Sequence, residues 1–221
     1  KISEPAFRMV AGHLNYLVIR GSYAEQAVIF NVDTMNGPLV RKLKLLAGHL
    51  ENMDEPVAAA FAYPDPSSSP YYLEAQRPPD MPMIKKLFGR QRLMVEHHGR
   101  RYLFHPTSFS QVNESIVPLM LEEARTLLSP KREERLLDLY CGYGLFSHYL
   151  APEYGQVMGV EAEGPSIDAA VANKQFNPAG ERTRFRAGRI TSGSLENLLP
   201  APSPGRESIL LDPPRQGPDK G

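Results

Sequence analysis

Two short segments of the chain hold residue types that could do chemistry together. The first is Asp138-Leu139-Tyr140-Cys141-Gly142-Tyr143-Gly144, an apolar run that closes on a glycine-containing turn. Glycine permits a tight backbone and a close ligand approach, and a helix starting after the turn would present free N–H groups. A dinucleotide site would read G-x-G-x-x-G, but the third glycine position is occupied by Ser147. Glu161 lies 23 residues after Asp138. That is close to the offset at which a carboxylate accepts hydrogen bonds from ribose hydroxyls. An adenosine-type ligand at the carboxyl edge of a sheet is the chemistry these residues suit. The second segment, Asp212-Pro213-Pro214-Arg215-Gln216-Gly217, sets a carboxylate before two prolines that hold the chain extended past a strand end. An exposed Asp in an ordinary loop would look the same by itself. Beside the glycine turn and Glu161 it reads as a second wall of one ligand site.

Other reactive side chains are sparse. Cys141 is the single cysteine, which excludes a disulfide framework and any zinc or iron–sulfur site built from several thiolates of this chain. Its place in the glycine turn suits a small, partly buried thiol. His97 and His98 fall in a hairpin turn where no carboxylate completes a ligand set, so no metal site is expected. Lys and Arg number 25 against 25 Asp and Glu, so net charge says nothing of a polyanionic partner. The distribution is uneven. Lys85, Lys86, Arg90, Arg92, Arg100 and Arg101 face only Glu96, and Arg182, Arg184, Arg186 and Arg189 face only Glu181. Solvated strand and loop faces account for such runs unless another feature demands a polyanion.

The elements that must position these residues fall into two segments. In the first, β-rich runs at Leu14–Arg20 and Gln26–Val32 predict a hairpin, and Leu39, Leu43, Leu46 and Leu50 predict a helix started by Asn36-Gly37-Pro38. A strand follows at Val57–Tyr63, with loops at Pro64–Pro70 and Pro78–Pro82 and a further hairpin about His98-Gly99. In the second, a helix is expected from about Gln111 to Leu128. Strands at Leu136–Tyr140, Val157–Glu161, Thr183–Ala187 and Ser208–Asp212 then alternate with helices at Leu145–Leu150, Ser166–Gln175 and Leu195–Leu199. On the second of these, Ile167, Ala170, Val171 and Lys174 share a face. Strand and helix at this pitch predict a parallel sheet with crossover helices, an α/β Rossmann-like domain at 106–221 after a central α+β domain at 1–105. Four strands are few for such a sheet, and Lys1 is not a methionine, so a longer parent chain is expected. No apolar run approaches a membrane span and no signal peptide is visible; a cytoplasmic monomer is expected.

With Ser108-Phe109-Ser110-Gln111-Val112-Asn113 added to the two segments above, the chain resembles the S-adenosylmethionine-dependent RNA uracil-5-methyltransferases, the family of the tRNA T-loop and large-subunit rRNA enzymes. Gly12-His13-Leu14 leading into Val18-Ile19-Arg20 is similar to that family's central domain. The resemblance implies a class I methyltransferase fold and an RNA partner. It makes Gln111, Asp138, Tyr140, Gly142, Gly144, Glu161 and Asp212 donor-binding residues, with Asp212 also beside the target base. It makes Arg100, Arg101 and Arg215 candidates for contacting RNA. Leu145 departs from the family, where an asparagine often follows the second glycine, as does Arg189, where an Asp or Asn usually touches adenine.

The family chemistry adds a cysteine thiolate to uracil C6, so that an enolate-like C5 attacks the sulfonium methyl. A base then removes the C5 proton and the thiolate leaves. The resemblance places that cysteine and base after Asp-Pro-Pro-Arg, beyond Gly221, and any iron–sulfur cluster before Lys1; no catalytic residue is therefore assigned here. Two other readings compete. A non-catalytic RNA- or cofactor-binding fragment fits the missing nucleophile. An amino-group nucleic-acid methyltransferase would carry an aromatic where Arg215 stands. Charge reversal at Arg100 and Arg101 is expected to weaken RNA binding and flatten its dependence on salt, as measured by filter binding across a salt series.

Overall fold

The computed structural model describes residues 4–54, 57–65, 84–202, 205–214 and 217. It divides the chain into two compact units, Lys1–Leu93 and Met94–Gly221. The division falls earlier than the boundary expected near 105, because the hairpin after it is bonded to a helix of the second unit.

The first unit opens with α1 (Glu4–Ala11), then the hairpin β1 (Leu14–Gly21) and β2 (Gln26–Val32). Helix α2 (Gly37–Glu51) follows, with the Asn36 side chain accepting from Leu39 N–H at 2.9 Å as its N-cap. Strands β3 (Val57–Pro64) and β4 (Lys85–Gly89) complete a sheet of order β1-β2-β3-β4. Strands β2 and β3 are parallel and the outer pairs antiparallel, so β2-α2-β3 is a crossover unit. Leu39, Leu43, Leu46 and Leu50 of α2 bury against Val28, Phe30, Ala60 and Ala62, as their spacing predicts. The expected loop at Pro64–Pro70 falls mostly outside the described residues, and that at Pro78–Pro82 wholly so.

From Met94 the second unit runs through β5 (Leu93–His97) and β6 (Arg100–Phe104), a two-stranded sheet turned at His98 and Gly99, both with positive φ. The helix expected from Gln111 starts later. A 3-10 turn at Glu114–Ile116 precedes α3 (Val117–Leu128), in which Pro118 sits in the first turn. Proline has no N–H to give and fixes its own φ, so it marks a helix start. Residues 111–113 are thereby left as loop.

The rest is a wound α/β layer: β7 (Arg135–Leu139), α4 (Leu145–Leu150), β8 (Gln156–Glu161), α5 (Pro165–Asn173), β9 (Thr183–Ala187), α6 (Leu195–Leu198) and β10 (Glu207–Leu211). All four strands are parallel in the order β10-β7-β8-β9. This is the expected Rossmann-like sheet. The order reverses at β7, whose neighbours are β8 on one side and β10 on the other, so the crevice at its carboxyl end is the switch point where such sheets bind ligands. On α5 one expectation fails: Val171 is exposed, while Ile167, Ala169, Ala170 and Asn173 are buried. A polar residue takes the inward place because the hairpin offers it unpaired backbone groups.

Gly159, on central strand β8, is set by close approach. A Cβ there would lie 2.6 Å from Phe185 Cδ1 and 2.9 Å from Cys141 Sγ. Gly159→Ala should destabilise the unit by roughly 1–3 kcal/mol through overpacking, measured by urea unfolding; an unchanged midpoint would refute the packing account.

Candidate functional site

Strand β7 carries Leu136 and Leu137 into Asp138, and it ends in a backbone that few side chains adopt. Tyr140 has φ +64°, in the left-handed region. The turn lets the N–H groups of Tyr140 and Cys141 both reach Val160 O, at 2.9 and 3.1 Å, which binds it to the end of β8. Gly144, at φ +80°, then starts α4, and a Cβ there would lie 2.9 Å from the His148 ring and 3.2 Å from Ala170 Cβ. Only glycine meets both demands. On the other side of β7, Asp212 N–H approaches Leu139 O at 3.4 Å, which brings the residue after β10 to the same edge.

These ends border an open cleft lined by Phe109, Ser110, Gln111, residues 140–143, Leu145, Phe146, Asp138 and Asp212. Of the expected donor-binding residues, Gln111, Asp138, Tyr140, Gly142 and Asp212 lie together in its wall. Glu161 stands immediately behind it. Its carboxylate accepts from Gly142 N–H at 2.8 Å and from Ala162 N–H at 2.9 Å, which holds the glycine turn open from the tip of β8. Each carboxylate oxygen keeps a further lone pair for a ligand hydroxyl. Tyr140 lines the cleft, yet it also packs against the Leu137, Leu139, Met158, Val160 and Leu198 cluster.

Asp138 is buried to 1% exposure and accepts from Ser147 Oγ at 2.6 Å. Ser147 is the residue that spoils the dinucleotide fingerprint. Its hydroxyl supplies the buried carboxyl with a partner that a third glycine could not. Burial pushes the Asp138 carboxyl up to about 6; the Ser147 hydrogen bonds oppose the shift, and the charges of Asp212 and Glu161 add to it. Three carboxyl groups thus converge on one sheet edge, a field that favours a ligand bearing positive charge.

Other side chains are excluded from chemistry. Cys141 packs with Ile167, Ala170 and Phe185, and burial pushes its thiol well above the ordinary range, which favours the protonated thiol there. His148 is fully buried and donates from Nε2 to Ala170 O at 2.9 Å; burial lowers it to about 4 and keeps it neutral. Among the described residues no group of three or more His, Cys, Asp or Glu could hold a metal ion, and no helix is long and apolar enough to cross a membrane.

The basic residues separate. Arg100 turns inward: its Nη1 donates to His148 O at 3.0 Å and to Tyr149 O, and the guanidinium lies 4.8 Å over the Tyr149 ring. It caps the carboxyl end of α4 instead of facing solvent. Arg101 is exposed beside it. Arg184 and Arg186 also donate to carbonyls of their own unit, while Arg215 lies outside the described residues. Phe146 in the cleft wall lies outside the sequence motifs, Phe109 and Tyr143 lie inside them without an assigned role, and Ser147 stands behind the wall. Ser147 was visible only as a mismatch to a fingerprint.

Known proteins with this pattern can be compared. A family model described as tRNA (Uracil-5-)-methyltransferase matches residues 80–192. The chain is 31% identical over 169 residues to the 23S rRNA (uracil(1939)-C(5))-methyltransferase RlmD of Cupriavidus pinatubonensis, covering 76% of this chain and 35% of that one. With the enzyme of the same name from Acidithiobacillus ferrooxidans it shares 33% over 117 residues, 53% of this chain and 26% of that one. The chain therefore spans about a third of the length of these relatives, or less. Among solved structures, the Pyrococcus abyssi tRNA (uracil-54, C5)-methyltransferase in complex with S-adenosyl-L-homocysteine superposes with a TM-score of 0.60 at 20% identity, over 93% of this chain and 45% of that one. That likeness carries the fold.

The buried Asp138 makes a test independent of any ligand. A carboxyl group raised from 3.8 to about 6 contributes stability below pH 4 that is lost as pH rises through 6. His148 acts in the opposite sense but is common to wild type and variant. The stability of Asp138→Asn relative to wild type should therefore rise by roughly 2 kcal/mol between pH 4 and pH 7. Denaturant unfolding at each pH measures it, and a flat difference would mean that the carboxylate is not desolvated.

Proposed function

Because the chain belongs to the tRNA (uracil-5-)-methyltransferase family, we propose that its cleft binds S-adenosylmethionine and serves methyl transfer to C5 of a uridine in rRNA or tRNA. The observation that carries this reading is the convergence of Asp138, Glu161 and Asp212 on the switch point of the sheet, beside an open glycine turn. The donor carries a ribose, an ammonium and a sulfonium. Glu161 suits the ribose hydroxyls, and the negative cleft suits the cationic centres. Gln111, freed from helix by Pro118, supplies an amide at the rim; Tyr140, Gly142 and Gly144 shape the turn. Bound there, the donor would supply an electrophilic methyl group, and we assign Asp212, at the rim, to the side of the base that receives it.

Uracil C5 is a weak nucleophile, and a thiolate added at C6 is the family's remedy. Cys141, the sole cysteine, is buried with a raised pKa. We assign the thiolate, the C5 base and any iron–sulfur cluster to residues outside these 221. The target base must leave its stack to be reached. Arg101 and Arg215 are proposed RNA contacts, while Arg100 is committed to α4. A second reading, binding of RNA or donor without turnover by this segment, draws on the same burial of Cys141. Transfer of labelled methyl to uridine-containing RNA separates the two, since binding alone gives RNA retention without incorporation.

Two expectations follow. Glu161→Ala removes hydrogen bonds to a charged acceptor and should weaken S-adenosylhomocysteine binding by about 10- to 100-fold in calorimetry; an unchanged affinity would move the donor elsewhere. Arg101→Glu should lower the slope of log affinity for RNA against log salt by about one or more. Arg100→Glu should instead lower thermal stability, because it removes the cap on α4.

A further inference from the structure

We propose that Asn173 is a positioning residue for the donor turn, coupling the β5–β6 hairpin to the cleft through its side-chain amide; the assignment of the turn to the donor rests on the function proposed above. Asn173 closes α5 and is fully buried. Its Oδ1 accepts from Leu103 N–H at 2.6 Å, and its Nδ2 donates to Leu103 O at 2.9 Å and to Tyr143 O at 3.0 Å. Both amide hydrogens and the carbonyl oxygen are therefore used. Towards β6 the carboxamide acts as one residue of a neighbouring strand. Towards the cleft it fixes a carbonyl of the turn.

The placement gives this contact its meaning. Glu161, at the end of β8, holds Gly142 N–H, and Asn173, at the end of the helix that follows β8, holds Tyr143 O. Consecutive residues of the turn are thus fixed by side chains from the two ends of one β8–α5 segment. The hairpin meets the same point from its own side. The Tyr143 ring packs edge-on to Tyr102 at 6.3 Å and against Phe104 at 5.8 Å. Displacement of β6 therefore reaches Tyr143 through its ring and, by way of Asn173, through its carbonyl. Asn177 provides a built-in control. Its Nδ2 donates to Arg101 O at 3.0 Å and to Asn173 O at 2.8 Å, and both acceptors lie outside the turn. It fastens the hairpin to the end of α5.

The test compares Asn173→Ala with Asn177→Ala in this chain, by calorimetry with S-adenosylhomocysteine and by amide hydrogen exchange over residues 140–145. Asn173→Ala should weaken binding about tenfold or more and speed exchange in the turn, whereas Asn177→Ala should lose thermal stability but keep its affinity within about twofold. Equal weakening by both, or an affinity within twofold in Asn173→Ala, overturns the proposal. Should Asn173→Ala not fold, Asn173→Asp is read the same way, since it keeps the volume and the acceptor but loses both donors. The unsubstituted chain offers an independent check. Coupling is reciprocal, so bound S-adenosylhomocysteine should slow exchange of the Leu103 amide several-fold, and no change there counts against the coupling. If the unsubstituted chain binds no S-adenosylhomocysteine, the donor reading falls. The positioning role then stands on faster turn exchange in Asn173→Ala than in Asn177→Ala, and falls if the two are equal.

Discussion

Burial of the Asp138 carboxyl at the end of β7 is the constraint on which the cleft depends. A carboxyl group out of water needs a partner and shifts towards its neutral form. Both consequences are present, in the Ser147 hydroxyl at 2.6 Å and in a pKa raised to about 6. Ser147 can reach Asp138 only if α4 starts directly after the turn and folds back over the strand. That in turn requires Tyr140 at positive φ and a glycine at 144, where any side chain would strike His148 and Ala170. The helix lies close to the strand because a buried carboxyl and a buried hydroxyl satisfy one another.

The backbone of the turn is held by its surroundings more than by itself. Val160 O receives two of its N–H groups, Glu161 receives a third, and Asn173 binds the Tyr143 carbonyl. A loop fixed in this way is pre-organised, so little ordering remains to oppose a ligand. The negative field of three carboxyl groups at the switch point favours a ligand bearing positive charge. This is a physical reason for a sulfonium donor to suit this edge better than a pyrophosphate-bearing dinucleotide, which the glycine spacing alone leaves open.

Much of this was legible in the residues. The four parallel strands, α2 with its Asn36 cap, both hairpins and the positions of Glu161 and Asp212 follow from local pattern, because hydrophobic period and turn chemistry are short-range properties. Three features were not. The start of α3 was moved by Pro118, which outweighed an otherwise helical run back to Gln111. The boundary between units fell at Leu93 rather than near 105, because Asn173 and Asn177 tie β6 to the second unit across some 70 residues of sequence. Arg100 belonged to a basic run on paper and became a helix cap in three dimensions.

The sequence by itself determined the fold class, the glycine turn and the carboxylates that face it, since each rests on residues adjacent in the chain or on spacing within one strand–helix–strand unit. The tertiary structure alone decided which polar side chains are spent inside the protein and which remain for a ligand. Arg100, Asn173, Ser147 and Cys141 are ordinary letters in the chain. Their roles depend on burial and on partners far away in sequence, and an unpaired polar group costs free energy only once water has been excluded from it.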